Sequence, residues 1–124
     1  RESFRPFCPS MKVESASKYL ENSERIERYM ISSYTVKTGM RDEIAAVTHV
    51  DGTCRPQMIE RGVYPKFWNL LNEYEKLTGS PVLMNTSLNV KGEPIVCNPH
   101  DAIKCFYDTG IQVLVLGSYI LRKS

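Results

Sequence analysis

Residues 65–85 read Pro-Lys-Phe-Trp-Asn-Leu-Leu-Asn-Glu-Tyr-Glu-Lys-Leu-Thr-Gly-Ser-Pro-Val-Leu-Met-Asn, and their pattern decides the class of fold. Phe67, Leu70, Leu71, Tyr74 and Leu77 recur at helical spacing. Pro65 suits the first turn of a helix and Gly79 its C-terminal end. The spacing predicts a helix over 65–78 with its apolar and aromatic residues in the core. Pro81–Asn85 is a short apolar run, predicted to be a buried strand. Further on, Asn98-Pro99-His100-Asp101 opens a second helix. Asn98 can cap it, Pro99 fits its first position, and Asp101 favours the positive end of the dipole. Ala102, Ile103 and Phe106 form its expected core face, and Thr109-Gly110 ends it. Gln112–Gly117 and Tyr119–Arg122 read as strands. This alternation argues for α/β layers over a sheet.

The first half is less regular. Pro6 and Pro9 punctuate an irregular or extended segment over 1–13. Ser15–Leu20 is a short helical candidate. Tyr29–Lys37 is rich in aromatic and β-branched residues and predicts a strand. Gly39–Glu43 is a charged connection, and Ile44–Val50 predicts another strand, stopped by the turn pair Asp51-Gly52.

At 124 residues the chain fits one domain, 1–124, with a real core. Sixteen basic against fourteen acidic side chains leave a net charge of +2, too balanced to argue for nucleic acid. No apolar run approaches the ~20 residues of a membrane span. The chain lacks an initiator Met and a signal-peptide pattern, so an excised piece of a cytoplasmic protein is expected. Cys8, Cys54, Cys97 and Cys105 include no C-x-x-C pair, and His49 and His100 are far apart, so no metal site is expected. Reduced thiols are the better reading of the four cysteines.

Where the run 81–84 stops, Asn85–Pro94 reads Asn-Thr-Ser-Leu-Asn-Val-Lys-Gly-Glu-Pro. Two amides, two hydroxyls, an ammonium and a glycine follow one another closely. A phosphate or adenylate needs a donor for each anionic oxygen, and glycine lets backbone approach a ligand. A polar turn has a similar composition.

Three further segments bear on that choice: FRPF-x-PS ending at Ser10, THVDGT-x-R-x-Q over 48–57, and GEPIV after the Asn-Thr-Ser stretch. In this order, from Arg1 to about Lys123, they resemble the C-terminal domain of the carbamoyltransferase family, which includes enzymes that carbamoylate nodulation factors and antibiotics. The resemblance implies a YrdC-like fragment of mixed α/β (α+β) class, a twisted mixed sheet packed by helices. It also implies a route in which ATP and carbamoyl phosphate, as substrates, form a carbamoyl-adenylate. A larger N-terminal domain, absent here with its acceptor site and metal chemistry, then transfers the carbamoyl group to a hydroxyl. The isolated chain is expected to be inactive. A glycine- and arginine-rich segment that usually precedes FRPF is also absent.

The resemblance draws attention to Arg1, Arg5, Arg55 and Lys91 as cationic clamps, and to Asn85, Thr86, Ser87 and Asn89 as a Ser/Asn loop for the nucleotide and carbonyl. His49 is the catalytic candidate, through a bond to the carbamoyl oxygen or acid–base work; a satisfied structural histidine is the alternative. Arg55, Asn85, Ser87, Asn89 and Arg5 are expected to converge on one concave site. His100 is expected at the surface. Two other classes of function remain open at this point: a YrdC-like RNA- or nucleotide-binding module, and a non-catalytic structural domain.

Overall fold

The computed structural model describes residues 6–124, which fall into two compact units, one running through Thr86 and one from Ser87 to Ser124. The first is built on a three-stranded sheet of β1 (Cys8–Lys12), β4 (Gln57–Ile59) and β5 (Val82–Asn85), in the order β4-β1-β5. β1 runs parallel to β4 and antiparallel to β5, so the sheet is mixed, as expected of the α/β class. Pro9 is tolerated inside the central strand because pairing with β4 begins only at Ser10. Of the segment 1–13, expected to be irregular or extended, Cys8–Lys12 is a strand, and 1–5 lie outside the described residues.

Helix α1 (Val13–Tyr19) follows directly and buries Ala16 and Tyr19. With Met11, Leu20, Val36, Ile44, Val47, Cys54 and Met58 they form the core of this unit. β2 (Tyr34–Thr35) pairs with β3 (Thr53–Cys54) in a separate two-stranded sheet.

Two predicted strands do not form as such. Of the segment 29–37 only Tyr34–Thr35 is a strand. The Glu27 carboxylate accepts the backbone N–H groups of Tyr29 and Ser32, each at 2.9 Å, and Met30 takes a φ of 58°, so this stretch is a side-chain-organised loop. Over 44–50 the chain forms a 3-10 turn at Ala45–Val47. Ile44 and Val47 point inward while Ala45 and Ala46 stay exposed, a period of three and not of two. The connection 39–43 includes a second 3-10 turn, Thr38–Met40.

Those bonds from Tyr29 and then Ser32 hold the Glu27 carboxyl well below its ordinary value of 4.5, at about 2. A carboxylate with a depressed pKa stabilises the fold above its unfolded value. That contribution is lost as pH falls from about 4.5 toward 2. Urea melts on either side of this window should show a larger loss for the natural sequence than for Glu27→Gln. Equal losses would show that Glu27 contributes nothing to acid stability.

Helix α2 (Pro65–Thr78) has the predicted bounds, with Pro65 at its start and Gly79 at a φ of 77° closing it. Its inner face differs from the prediction. Leu71 is buried, but Leu70 and Leu77 are 58% and 86% exposed. β1 presents Lys12 to the helix, and its ammonium bonds Asn72 Oδ1 at 3.1 Å and the Glu75 carboxylate. Trp68 Nε1 donates to Glu14 at 3.1 Å, and Lys12 and Arg61 lie over its ring. The helix is turned so that 68, 71, 72 and 75 face inward. β5 is a sheet edge, and its Met84 is 55% exposed. It is therefore not the buried strand predicted from its composition.

The second unit holds α3 (Pro99–Asp108), β6 (Val113–Leu116) and β7 (Tyr119–Arg122). Asn98 Oδ1 accepts the Asp101 N–H at 2.8 Å, the predicted cap. Phe106, Ala102 and Leu114 are buried, with Leu88, Val96, Ile111, Leu116 and Leu121 packed around them. Ile103, predicted on this face, is 37% exposed, and Cys105 is buried instead. β6 and β7 form an antiparallel hairpin, a sheet of their own, closed by Gly117 at a φ of 61°. The described strands form three small sheets and not one, with α1 and α2 packed on β4-β1-β5 and α3 on β6. No helix among the described residues is long and apolar enough to cross a membrane.

Candidate functional site

Strand register brings three sequence motifs to one end of the β4-β1-β5 sheet. Ser10 lies opposite Gln57 across the parallel pair, and Cys8 lies opposite Asn85 across the antiparallel pair. Because alternate residues of a strand share a face, Ser10, Gln57 and Asn85 stand on the same side. Their side chains bond one another. Asn85 Nδ2 donates to Ser10 Oγ at 3.0 Å and to Gln57 Oε1 at 2.8 Å, and Ser10 Oγ donates to Gln57 Oε1 at 3.1 Å. Ser10 ends FRPF-x-PS, Gln57 ends THVDGT-x-R-x-Q, and Asn85 begins the Asn-Thr-Ser stretch that leads to GEPIV. Ser10 is fully buried, while Gln57 and Asn85 are half-exposed.

Arg55 precedes this junction by two residues. It directly follows β3, and it is exposed with no hydrogen bond or ion pair among the described residues. The turn before it is tightly built. His49 N–H donates to Thr53 O at 2.7 Å, and Gly52 N–H to His49 O at 2.9 Å. Asp51 Oδ1 accepts Thr53 Oγ1 at 2.7 Å and Thr53 N–H at 2.9 Å. These bonds, with His49 nearby, hold the Asp51 carboxyl below the usual range. Gly52 has a φ of 80°, and a Cβ there would stand 2.4 Å from the Arg41 guanidinium. Much of the THVDGT motif thus shapes a turn. His49 is half-buried within that turn rather than at the end of a strand, and its ring makes no hydrogen bond among the described residues.

The Ser/Asn loop belongs to the second unit from Ser87 onward. Ser87 Oγ donates to Asn89 Oδ1 at 2.6 Å, and Asn89 Nδ2 donates to Val90 O and Glu93 O at 3.2 and 3.0 Å. The Asn89 amide is therefore engaged in holding the loop. Gly92, at a φ of 86°, completes the turn of 90–93. Lys91 is exposed, without an ion pair among the described residues, and Thr86 is exposed. A cavity of about 420 Å³ borders Asn89, but Glu93 and Asp101 line it beside Lys104, which suits an anion poorly. His100 is at the surface, as predicted.

Arg1 and Arg5 lie outside the described residues. Of the predicted site residues, Asn85 joins Ser10 and Gln57 near Arg55, and Ser87 joins Asn89. Ser10 and Gln57 were not among the predicted site residues. Their signal was their place at the ends of the two upstream motifs.

Comparison with known proteins gives a consistent result. The family model described as carbamoyltransferase C-terminus matches residues 1–123. Nodulation protein NolNO of Sinorhizobium fredii is 38% identical over 99% of this chain and 18% of its own length. Nodulation protein NolO of Bradyrhizobium diazoefficiens is 38% identical over 99% of this chain and 23% of its own length. An uncharacterized protein of Synechocystis is 37% identical over the whole chain and 23% of its own length. The chain thus spans about a fifth of the length of these relatives.

Proposed function

Because this chain belongs to the carbamoyltransferase C-terminus family, we propose that it binds ATP and carbamoyl phosphate and takes part in forming a carbamoyl-adenylate. It acts as the C-terminal domain of a larger O-carbamoyltransferase, whose N-terminal domain passes the carbamoyl group to a hydroxyl acceptor.

The observation that carries this reading is the meeting of Ser10, Gln57 and Asn85, one from each motif, at one end of the sheet. Arg55, close by in sequence, has a guanidinium without a hydrogen bond or ion pair among the described residues, suited to a phosphate oxygen pair. Lys91 is assigned as a further donor to phosphate, and Ser87 as a hydroxyl for the nucleotide or phosphate whose one proton must turn from Asn89 Oδ1 when ligand binds. His49 is assigned acid–base or carbonyl-orienting work. Asn89 shapes the loop, and roles for Arg1, Arg5 and Thr86 rest on the resemblance. Overall, carbamoyl phosphate, ATP and one water give carbamoyl-adenylate, pyrophosphate and phosphate. Water first cleaves the acyl-phosphate link of carbamoyl phosphate to give carbamate and phosphate; a carbamate oxygen then bonds to the α-phosphorus, and the bond from that phosphorus to pyrophosphate breaks.

Pyrophosphate release by the full-length polypeptide tests this. Release should require ATP and carbamoyl phosphate together, and residues 1–124 alone should carbamoylate no hydroxyl. Pyrophosphate release indifferent to carbamoyl phosphate would remove the reading.

A further inference from the structure

The junction of Ser10, Gln57 and Asn85 is a closed triangle of hydrogen bonds. Asn85 has two amide N–H bonds to give and gives both inward, to Ser10 Oγ and Gln57 Oε1. Ser10 gives its one proton to the same Gln57 oxygen. Ser10 is fully buried, so its hydroxyl has no water to turn to. Neither amide can flip alone, because oxygen would then face oxygen or nitrogen face nitrogen. Flipping both together only exchanges their parts. In either arrangement the triangle closes, and one carbonyl oxygen and one amide NH₂ are left over. As the structure stands, these are Asn85 Oδ1 and Gln57 Nε2. Neither makes a hydrogen bond among the described residues, and both residues are half-exposed.

An acceptor beside a donor complements a group that carries N–H and C=O on one carbon. We propose that Asn85 and Gln57 recognise the carbamoyl group by its amide edge. Asn85 Oδ1 accepts from the carbamoyl NH₂, and Gln57 Nε2 donates to the carbamoyl oxygen. Ser10 is a positioning residue: it locks both amides from beneath and touches no ligand. This rests on the reading that this end of the sheet handles carbamoyl phosphate. It goes further by assigning selection of carbamoyl over acyl groups to a particular pair. The same donor–acceptor pattern also occurs on the edge of adenine, so the test separates the two.

The experiment is isothermal titration of the full-length polypeptide with carbamoyl phosphate and with acetyl phosphate, and separately with ATP and GTP. Acetyl phosphate has a methyl group where the N–H donor would be. The natural protein should prefer carbamoyl phosphate by about tenfold or more, since an unmatched polar pair disfavours the analogue. Gln57→Met should bring the two phosphates to near parity while leaving the ATP/GTP preference in place. Ser10→Ala should lower the carbamoyl/acetyl ratio several-fold, an effect that mere loss of stability would not produce. Gln57→Glu keeps the inward oxygen and serves if Gln57→Met does not fold. An unchanged ratio in folded variants overturns the proposal. So does a collapse of the ATP/GTP preference instead, which would give the pair to adenine. If the natural protein binds neither carbamoyl phosphate nor ATP, the parent reading falls and this inference falls with it.

Discussion

Phe106→Ala is expected to destabilise the Ser87–Ser124 unit by about 4 kcal/mol, the usual range for emptying a buried aromatic site. Phe106 is fully buried at the centre of that unit's core, on the inner face of α3. Leu88 and Val96 pack on the same cluster, and Val96 N–H donates to Leu88 O at 3.1 Å. The loop carrying Asn89 and Lys91 is thus anchored at Leu88 and Val96 by packing on the cluster to which Phe106 belongs. Denaturant melts should report the loss. Amide exchange should quicken through 88–96 as well as along α3. A loss below about 1 kcal/mol, or unchanged exchange in the loop, would separate the loop from this core.

Arg55→Ala is the largest expected functional effect. The guanidinium is exposed and makes no hydrogen bond or ion pair among the described residues, so the melting temperature should hardly move. Loss of charged hydrogen bonds to a phosphate should slow carbamoyl-adenylate formation by about 1.5–3 kcal/mol, roughly tenfold to a hundredfold. Arg55→Lys should recover only part, because an ammonium lacks the planar fork. Unchanged kinetics would make Arg55 an ordinary surface residue.

Local punctuation was readable in the sequence, and tertiary orientation was not. Pro65 and Gly79 bracket α2, and Asn98 and Pro99 start α3, because caps act through their own neighbours. The face that α2 buries depends on Lys12, more than fifty residues away in sequence, and no helical period announces a lysine as the facing group. Within the strand predicted over 29–37, the part before Tyr34 is displaced by the Glu27 carboxylate, whose bonds to Tyr29 and Ser32 compete with any strand ladder. Within 44–50, predicted as a strand, the inward residues Ile44 and Val47 stand three apart and the chain makes a 3-10 turn.

The candidate site divides in the same way. Asn85 was legible because polar residues crowd the end of an apolar run. Ser10 and Gln57 were hidden. Ser10 follows a proline and reads as a turn residue, and a glutamine has no distinctive spacing. Only the register of β1 with β4 and β5 brings them to Asn85. Asn89 was legible as polar, but its engagement with Ser87 and Glu93 depends on the loop's own path.

A crystal structure of the full-length polypeptide with carbamoyl phosphate and a non-hydrolysable ATP analogue is the most direct measurement. It should place ligand atoms at the end of the β4-β1-β5 sheet, within about 3.2 Å of the Arg55 guanidinium and of the Asn85 or Gln57 amide. Ligand bound away from Arg55, Gln57 and Asn85, with the triangle of Ser10, Gln57 and Asn85 facing only solvent, would contradict it.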